Sequence, residues 1–349
     1  MAGNNERIRI GFVGAGANTR VKHIPGLLAQ DGVEFVAVAN RSRESSERVA
    51  KEFGIARVSE HWRQVVEAED VDAVVIGTWP YMHCPVTVAA LAAGKHVLTE
   101  ARMAMNLVEA ETMLASSRQA PHLVTQIVPG GGSLDKDDTI RRLIADGYLG
   151  DVVAVEVKQS TGFIDREAPF HWRHNMEYSG LNILRMGIYY EDVMFWLGPA
   201  VRIAAMGRTF VRMRTDEHGV RRAIRIPDHV DILGEMACGA QLHMQLSAVM
   251  GHGTSEITIH GTEATLRIEG GQLLGGTRDE KELKPIPLRP AKPRRATTLP
   301  PGWRVEEEFV AAIRGKGPIT RTRFEDGVQY MAFTEAVHRS MREGRAIPV

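Results

Sequence analysis

The chain is poor in cysteine. Its 349 residues include two cysteines, Cys84 and Cys238, which lie far apart and belong to no CxxC pair. This spacing excludes a disulfide framework and a cysteine-based zinc site, and it favours a reducing compartment. We therefore expect a cytoplasmic protein.

The chain also lacks net charge and long apolar runs. Lys and Arg number 43, as do Asp and Glu, so the formal charge is zero. A general nucleic-acid binder needs a basic face, so no nucleic-acid partner is expected. No apolar stretch reaches the roughly 18–20 residues of a membrane span, and the first residues lack the apolar region of about 7–15 residues of a signal peptide. Hydrophobic residues make up 44% of the chain, enough to form cores, and the length predicts two domains, with three as the alternative.

The first part of the chain alternates between short apolar runs and amphipathic segments. The apolar runs, rich in Val and Ile, lie at 8–14, 33–40, 71–78, 95–100 and 122–128. The amphipathic segments lie at 20–30, 43–53, 61–69, 84–93 and 106–118. Strands without strict alternation are typical of a sheet that is covered on both faces, and the β-α-β order predicts right-handed crossovers. We therefore predict an α/β domain with a doubly wound parallel sheet.

The pattern changes at a Pro-Gly-Gly-Gly-Ser segment, 129–133, which predicts a domain boundary. Strand-like segments follow from 151, 201, 230, 240, 255 and 264, with a predicted hairpin around Gly239. Helices are predicted over 135–146, 180–197, 303–314 and 324–343, and an extended proline-rich loop over 284–302. Alternating strands joined by short turns indicate an α+β domain with an antiparallel sheet that leaves one face open, which favours a homodimer or homotetramer. The predicted domains are 1–128, 129–322 and a terminal helical segment, 323–349.

A glycine-containing loop follows the first predicted strand. Gly14 permits a tight turn and Gly16 lets the backbone approach a pyrophosphate, while the next helix offers free N–H groups to the phosphates. The alternative is a tight strand–helix turn without a ligand. The loop residues expected at a dinucleotide are Gly14, Gly16, Ala17, Asn18 and Thr19.

The second predicted strand lacks an acid at its end. An acid there would accept hydrogen bonds from the adenosine ribose of NAD, but this chain has Asn40, followed by Arg41 and Ser42. A guanidinium and a hydroxyl suit the 2′-phosphate of NADP, so NADP is the expected cofactor and NAD the alternative. A solvated basic helix start would explain the same residues without a ligand.

Four segments, 10–28, 72–101, 179–198 and 324–345, resemble the Gfo/Idh/MocA family of NAD(P)-dependent oxidoreductases. The resemblance covers nearly the whole chain. It implies an N-terminal Rossmann domain, an open-faced antiparallel sheet, a C-terminal helix that packs back on the first domain, and a sugar, cyclitol or similar polyol as substrate. By the same resemblance, the residues expected beside the cofactor are Thr78, Trp79, His83, Glu100, Trp172 and Arg173. A helix-start histidine is the alternative for His83.

The residues that normally perform the chemistry of this family are replaced together. The family's Glu-Lys-Pro segment reads Glu100-Ala101-Arg102, and its aspartate and acid/base histidine correspond to Arg185 and Tyr189. Alanine cannot move a proton, and arginine stays charged with a pKa of about 12 or more. Tyrosine can act as acid or base, and a nearby cation favours phenolate, so we predict that Arg185 lowers the pKa of Tyr189. The alternative is that both are packing or ion-pair residues of an inactive relative.

A polar loop precedes this segment and contains His171 and His174. His174 is a further candidate for acid/base catalysis. The HxxH spacing lacks a third ligand nearby, so no metal is expected. We therefore expect an NAD(P)-dependent oxidoreductase with a non-standard acid/base set. The alternatives are a dinucleotide- or sugar-binding sensor without turnover and a nicotinamide-assisted elimination enzyme.

Overall fold

The computed structural model describes residues 7–290, 296 and 298–349. It divides into two compact units. The first contains Met1–Pro129 and Lys292–Val328, and the second contains Gly130–Ala291 and Gln329–Val349.

The first unit contains a six-stranded parallel sheet with the strand order β3-β2-β1-β4-β5-β6. The strands are β1 Ile8–Val13, β2 Val33–Ala39, β3 Arg57–Val58, β4 Ala73–Ile76, β5 His96–Thr99 and β6 Thr125–Ile127. The helices are α1 Ile24–Leu28, α2 Arg43–Phe53, α3 Trp62–Val66, α4 His83–Ala92 and α5 Leu107–Gln119. All four residues of β4 are buried, as expected for a sheet that is covered on both faces. The predicted doubly wound parallel sheet is confirmed. The two-residue strand β3 is too short to have a sequence pattern and was not predicted.

The second unit contains the helices α6 Asp137–Ala145, the short α7 Met176–Ser179 and α8 Met186–Leu197. Its strands are β7 Val152–Ser160, β8 Ala200–Arg208, β9 Met213–Thr215, β10 Arg221–Ala223, β11 His229–Met236, β12 Gln241–Ser247, β13 Ser255–Gly261, β14 Ala264–Glu269, β15 Gln272–Thr277 and β16 Lys284–Pro285. β9 and β10 form a separate antiparallel pair. The others join the final strand β17 Ile347–Pro348 in a nine-stranded sheet of order β16-β15-β14-β13-β7-β12-β11-β8-β17.

The predicted antiparallel sheet is confirmed with one exception, because β7 and β12 pair in parallel. The predicted hairpin joins β11 and β12, and Gly239 adopts a φ of 89° in its turn. That value lies in the left-handed region that glycine tolerates without steric cost.

Two further helices precede β17 near the end of the chain, α9 Val305–Ile313 and α10 Phe324–Glu343. The sequence had placed residues up to 322 in the second domain, whereas the compact units assign 292–328 to the first. The helix over 324–343 was expected to pack on the first domain. The compact units divide this helix after Val328, and its packing on the first domain stays a prediction. Among the described residues, no helix is both long and apolar enough to cross a membrane.

The predicted helix over 180–197 begins at Met186 instead. Gly180 ends α7 with a φ of 64°, and Leu184 has a φ of 44°. A right-handed helix cannot continue through these conformations. The hydrophobic pattern of the segment continues across this break and does not reveal it.

Candidate dinucleotide site

A cavity of about 470 Å³ opens at the carboxyl ends of β1, β2 and β4 in the first unit. Ligand cavities are typically 300–1,000 Å³, and open α/β sheets bind ligands at this edge. The cavity is lined by Val13, Gly14, Ala15, Gly16, Ala39, Asn40, Arg41, Ser45, Glu60, His61, Trp62, Gly77, Thr78, Trp79, Tyr81 and Met82.

The loop after β1 is held by its first glycine. Gly14 has a φ of 81°, and a Cβ built there would lie 2.7 Å from the backbone nitrogen of Thr78. A Cβ on Gly16 would meet only the carbonyl oxygen of Gly77, at 3.7 Å. Gly14 is therefore required by the fold, while Gly16 leaves open space in the cavity wall. This is the cradle that a pyrophosphate needs, and the residues present fit a dinucleotide.

The remaining loop residues do not line the cavity. Ala17 is exposed, and Asn18 turns its amide to the carboxylate of Glu100. Thr19 is buried and begins a π-helical turn, Thr19–His23, in front of α1. Side-chain contacts of Ala17, Asn18 and Thr19 with a cofactor therefore remain predictions.

Asn40, at the usual position of an acid, organises the cavity wall. Its Oδ1 accepts a hydrogen bond of 2.6 Å from the backbone N–H of Ala15, and its Nδ2 donates to the carbonyl and hydroxyl of Ser45, both at 3.1 Å. The amide thus ties the glycine loop to the start of α2. The sequence shows that an acid is missing at position 40, but it does not predict the contact of Asn40 with the glycine loop.

The two residues expected at a 2′-phosphate have different surroundings. The guanidinium of Arg41 lies 5.4 Å from the ring centroid of Trp79, and both side chains line the cavity. The hydroxyl of Ser42 caps α2 by accepting from the N–H of Ser45 at 3.3 Å. Ser45 lines the cavity, whereas Ser42 does not.

Thr78 and Trp79 line the cavity as expected, but His83 lies outside it. The His83 ring is fully buried, with Nδ1 2.9 Å from the carbonyl oxygen of Arg102 and Nε2 3.1 Å from that of Thr78. Burial lowers the pKa of His83. The neutral ring carries one N–H and donates it to one of these two carbonyls, and it packs between the segments after β4 and β5. Among the described residues the buried Oγ1 of Thr78 has no hydrogen-bond partner, so it is available to a bound group.

Glu100 belongs to a buried polar network below the loop. Its Oε1 contacts the Asn18 amide and lies 2.8 Å from Nε2 of His23, whose Nδ1 lies 2.6 Å from Oε1 of Glu306. Trp303 donates to Glu306 through its indole N–H at 2.9 Å. Burial opposes the charged form of His23, but the hydrogen bonds and charges of the two carboxylates outweigh it and raise its pKa to about 9. Burial also opposes the charge on Glu100, yet His23 lowers the pKa of Glu100. A buried ion pair therefore anchors the turn that follows the glycine loop.

This network predicts a pH-dependent stability. The pKa of His23 rises from 6.5 to about 9 on folding, so its contribution is complete below pH 6.5 and disappears as the pH rises through 9. Its size is about 3 kcal/mol. The contribution of Glu100, whose pKa is lowered, is lost only at acid pH, below its ordinary 4.5. Urea unfolding from pH 6.5 to 9 should show the loss in the wild type and not in His23→Gln. The exposed His61→Gln should behave as the wild type, and an unchanged slope in His23→Gln would contradict the assignment.

The candidate acid/base residues lie in the second unit. Arg185 is exposed and precedes the first turn of α8, with its guanidinium 5.8 Å from the ring centroid of Tyr189. The predicted proximity is present and Arg185 does lower the pKa of Tyr189, but the net shift is upward rather than the expected downward one. Burial raises this pKa by more than Arg185 lowers it. Tyr189 is therefore a protonated phenol at neutral pH.

The loop before α7 places His174 at a different cavity. His171, Arg173 and His174 line about 180 Å³ together with Leu184, with Arg214 of β9 and with residues of the segments 224–228 and 248–249, and Tyr189 is not among the lining residues. Burial lowers the pKa of His174 to about 4, assisted by the charge of Arg214. The guanidinium of Arg173 stacks 4.2 Å from the ring centroid of Trp172. No group of His, Cys, Asp or Glu that could hold a metal occurs in the described part of the chain.

Comparisons with known proteins agree with this architecture. A family model described as an oxidoreductase family with an NAD-binding Rossmann fold matches residues 8–126, and the GFO/IDH/MocA C-terminal domain matches residues 138–267. The chain is 28% identical to the 1,5-anhydro-D-fructose reductase of Ensifer adhaerens over 98% of each chain.

Two solved structures share the fold over the whole chain. Levoglucosan dehydrogenase in complex with NADH and L-sorbose superposes with a TM-score of 0.85 and 17% identity, covering 98% of this chain and 99% of that one. A super-repressor mutant of Gal80p from Saccharomyces cerevisiae gives a TM-score of 0.79 and 18% identity, covering 98% of each chain. These identities support the fold alone, whereas the two family models, which together match more than half of the chain, establish the family. The chain therefore belongs to the Gfo/Idh/MocA family of oxidoreductases, with an NAD-binding Rossmann fold.

Proposed function

We propose that this protein transfers a hydride between a nicotinamide dinucleotide and a carbonyl or hydroxyl carbon of a sugar-like substrate. The observation that carries the proposal is the cavity at the carboxyl ends of β1, β2 and β4, with its glycine cradle. The sugar class is supported by the named substrate of the reductase relative, which aligns over 98% of both chains. Bound nicotinamide supplies or accepts the hydride.

The chain itself must bind the dinucleotide and move one proton. Gly14 and Gly16 form the wall that a pyrophosphate approaches. Reduction of a carbonyl leaves an alkoxide oxygen, which needs a proton donor. Tyr189 suits donation because its raised pKa keeps the phenol protonated at neutral pH. Ala101, at the position of the family's lysine, has no proton to donate.

The proposed cofactor is NADP, and Arg41 is the residue that supports it. It lies on the cavity wall beyond β2, where it offers a cation to a 2′-phosphate, and Glu60, the carboxylate in the same wall, pairs with Arg43 at 2.9 Å. Arg41→Ala should weaken NADPH binding about 10–100-fold, since a charge-assisted contact contributes roughly 1.5–3 kcal/mol, and should change NADH binding little.

Fluorescence titration with both cofactors checks this preference. Arg48→Ala is the control, because Arg48 is exposed on α2, pairs with Glu44 and does not line the cavity. Equal losses for NADPH and NADH in Arg41→Ala would refute the NADP assignment.

A sensor that binds a dinucleotide without turnover is the second candidate. Two observations favour it: Ala101 replaces the usual lysine, and a repressor shares the fold. Sugars and polyols screened with NADPH and NADP at the nicotinamide absorbance band distinguish the two functions. Cofactor binding with turnover of a substrate supports the oxidoreductase, and cofactor binding without turnover across the screen supports the sensor.

We further propose a cytoplasmic homodimer or homotetramer. One face of the nine-stranded sheet exposes Met206 and Leu233, each more than half accessible. Apolar side chains on a sheet face favour association. Sedimentation velocity should give at least twice the monomer mass of 38.6 kDa, and a monomer at micromolar concentration would refute this assembly.

A further inference from the structure

The second unit contains a small cavity of its own, and none of the residues that line the first cavity lines it. Its volume is about 180 Å³, and its lining combines five polar or charged side chains with six apolar ones. Liquid water occupies about 30 Å³ per molecule, so the space suits a small ligand or a ligand's head group. The lining residues are His171, Arg173, His174, Leu184, Arg214, Ile224, Ile226, Pro227, Asp228, Ala248 and Val249.

Both histidines present a proton at the same ring nitrogen. Nδ1 of His174 accepts from the backbone N–H of His171 at 3.0 Å, and Nδ1 of His171 accepts from the backbone N–H of Arg173 at 3.2 Å. A neutral imidazole that accepts at Nδ1 carries its proton on Nε2. Burial lowers the pKa of both rings, so they are neutral at pH 7. Each Nε2–H is therefore a hydrogen-bond donor.

Arg214 adds a cation with unused donors. One terminal nitrogen donates to the carbonyl of Ala168 at 2.7 Å, while the buried Nε has no acceptor among the described residues. A buried N–H of a charged group is costly to leave without a partner. Across the described ranges, no carboxylate forms an ion pair with Arg214. The side chain therefore lacks an acceptor that a bound ligand could supply.

The one carboxylate in the lining is already engaged. Asp228 accepts from the backbone N–H groups of Phe210 and Val211, one at each oxygen, at 2.8 and 2.9 Å. It thus stabilises the turn before β9, and its single negative charge stands against the two positive charges of Arg173 and Arg214 in the same lining. The cavity is left with a surplus of N–H donors and a positive charge.

We propose that this cavity binds the oxyanion group, a carboxylate or a phosphate, of a small ligand. Arg214 supplies the charge, and the Nε2–H groups of His171 and His174 supply neutral donors. Ile224 and Ile226 form an apolar wall of the cavity, which favours a ligand with a short carbon chain over a fully hydrated ion. Neither Tyr189 nor any lining residue of the first cavity belongs to this site, so loss of anion binding here and loss of hydride transfer are measured by different variants.

Isothermal titration of the full chain at pH 7 tests the proposal and distinguishes the two oxyanions. Succinate and gluconate represent carboxylates, inorganic phosphate and glycerol 3-phosphate represent phosphates, and glucose is the neutral control. At least one of the charged probes should bind saturably at one site, and glucose should not compete with it. The probe class that binds more tightly identifies the oxyanion. Absence of saturable binding by all four charged probes would overturn the proposal.

Variants locate the binding. Arg214→Met should weaken the bound probe at least tenfold, whereas Arg212→Met, exposed just before the same strand, should change its affinity less than twofold. Val249→Phe places a larger apolar side chain in the cavity and leaves every charged lining residue in place. This variant therefore tests the site even if Arg214→Met does not fold. It should also reduce affinity at least tenfold. Unchanged binding in Val249→Phe, or equal losses in the two arginine variants, would assign the anion elsewhere.

Discussion

Gly14→Ala is expected to destabilise the protein and to abolish dinucleotide binding. Gly16→Ala should abolish tight dinucleotide binding and leave the stability of the protein unchanged. Gly14 has a φ of 81°, where an L side chain is strained, and the new Cβ would lie 2.5 Å from Cγ2 and 2.7 Å from the backbone nitrogen of Thr78. Because a backbone atom cannot rotate away, the loop must shift. We expect a loss of about 2–4 kcal/mol in the free energy of unfolding.

Gly16 differs in both respects. Its φ is not in the left-handed region, and a Cβ there meets one carbonyl oxygen at an ordinary 3.7 Å. Stability should therefore stay within about 0.5 kcal/mol of the wild type. The added methyl group occupies the space through which a pyrophosphate approaches, so cofactor affinity should fall more than tenfold.

Urea unfolding and NADPH fluorescence titration of both variants separate these effects. Wild-type stability in Gly14→Ala would show that the loop tolerates a side chain at the turn. Wild-type NADPH affinity in Gly16→Ala would place the pyrophosphate elsewhere.

Tyr189→Phe is expected to reduce turnover about 10²–10⁴-fold, the usual contribution of general acid catalysis, while cofactor affinity is retained. The substitution keeps the ring and removes the hydroxyl that would donate a proton. Reduction should also decline at alkaline pH, as the phenol, with its raised pKa, ionises. Arg185 lowers that pKa, so Arg185→Met should shift the decline to higher pH.

The neighbouring tyrosine provides a matched control. Tyr190 is buried, stacks 3.7 Å from the ring centroid of Phe333, and its hydroxyl accepts from the N–H of Ala200 at 2.8 Å. Tyr190→Phe should lower stability by about 1 kcal/mol and leave turnover unchanged. Steady-state kinetics and pH profiles of both variants give the comparison. Full turnover in Tyr189→Phe would remove it as the acid.

The sequence predicted the elements whose pattern is local. Strand β1, its glycine loop and the parallel character of the sheet follow from apolar runs and turn residues within short windows. The strand β3 and the start of α8 at Met186 were missed, because one is too short to have a period and the other depends on backbone conformations at 180–184.

Long-range contacts account for most of what was missed at the site. Asn40 reaches back 25 residues to the glycine loop, and His23 meets a carboxylate 283 residues later. No spacing rule connects such positions. The effect of burial on Tyr189 is similar, because the sequence showed the nearby Arg185 but not the desolvation that outweighs it.

The contact between His23 and Glu306 also affects how the first unit is completed during synthesis. All six strands of its sheet have been synthesised once residue 127 is added. The carboxylate of Glu306, which shares the buried imidazole, is added about 180 residues later. At about 5–20 residues per second, the nascent sheet spends roughly 10–35 s without it. During that interval the imidazole has one of its two acidic partners, so the early intermediate is less stable than the finished unit and exposes the surface that α9 will cover. We therefore expect chaperones to bind this exposed surface during that interval.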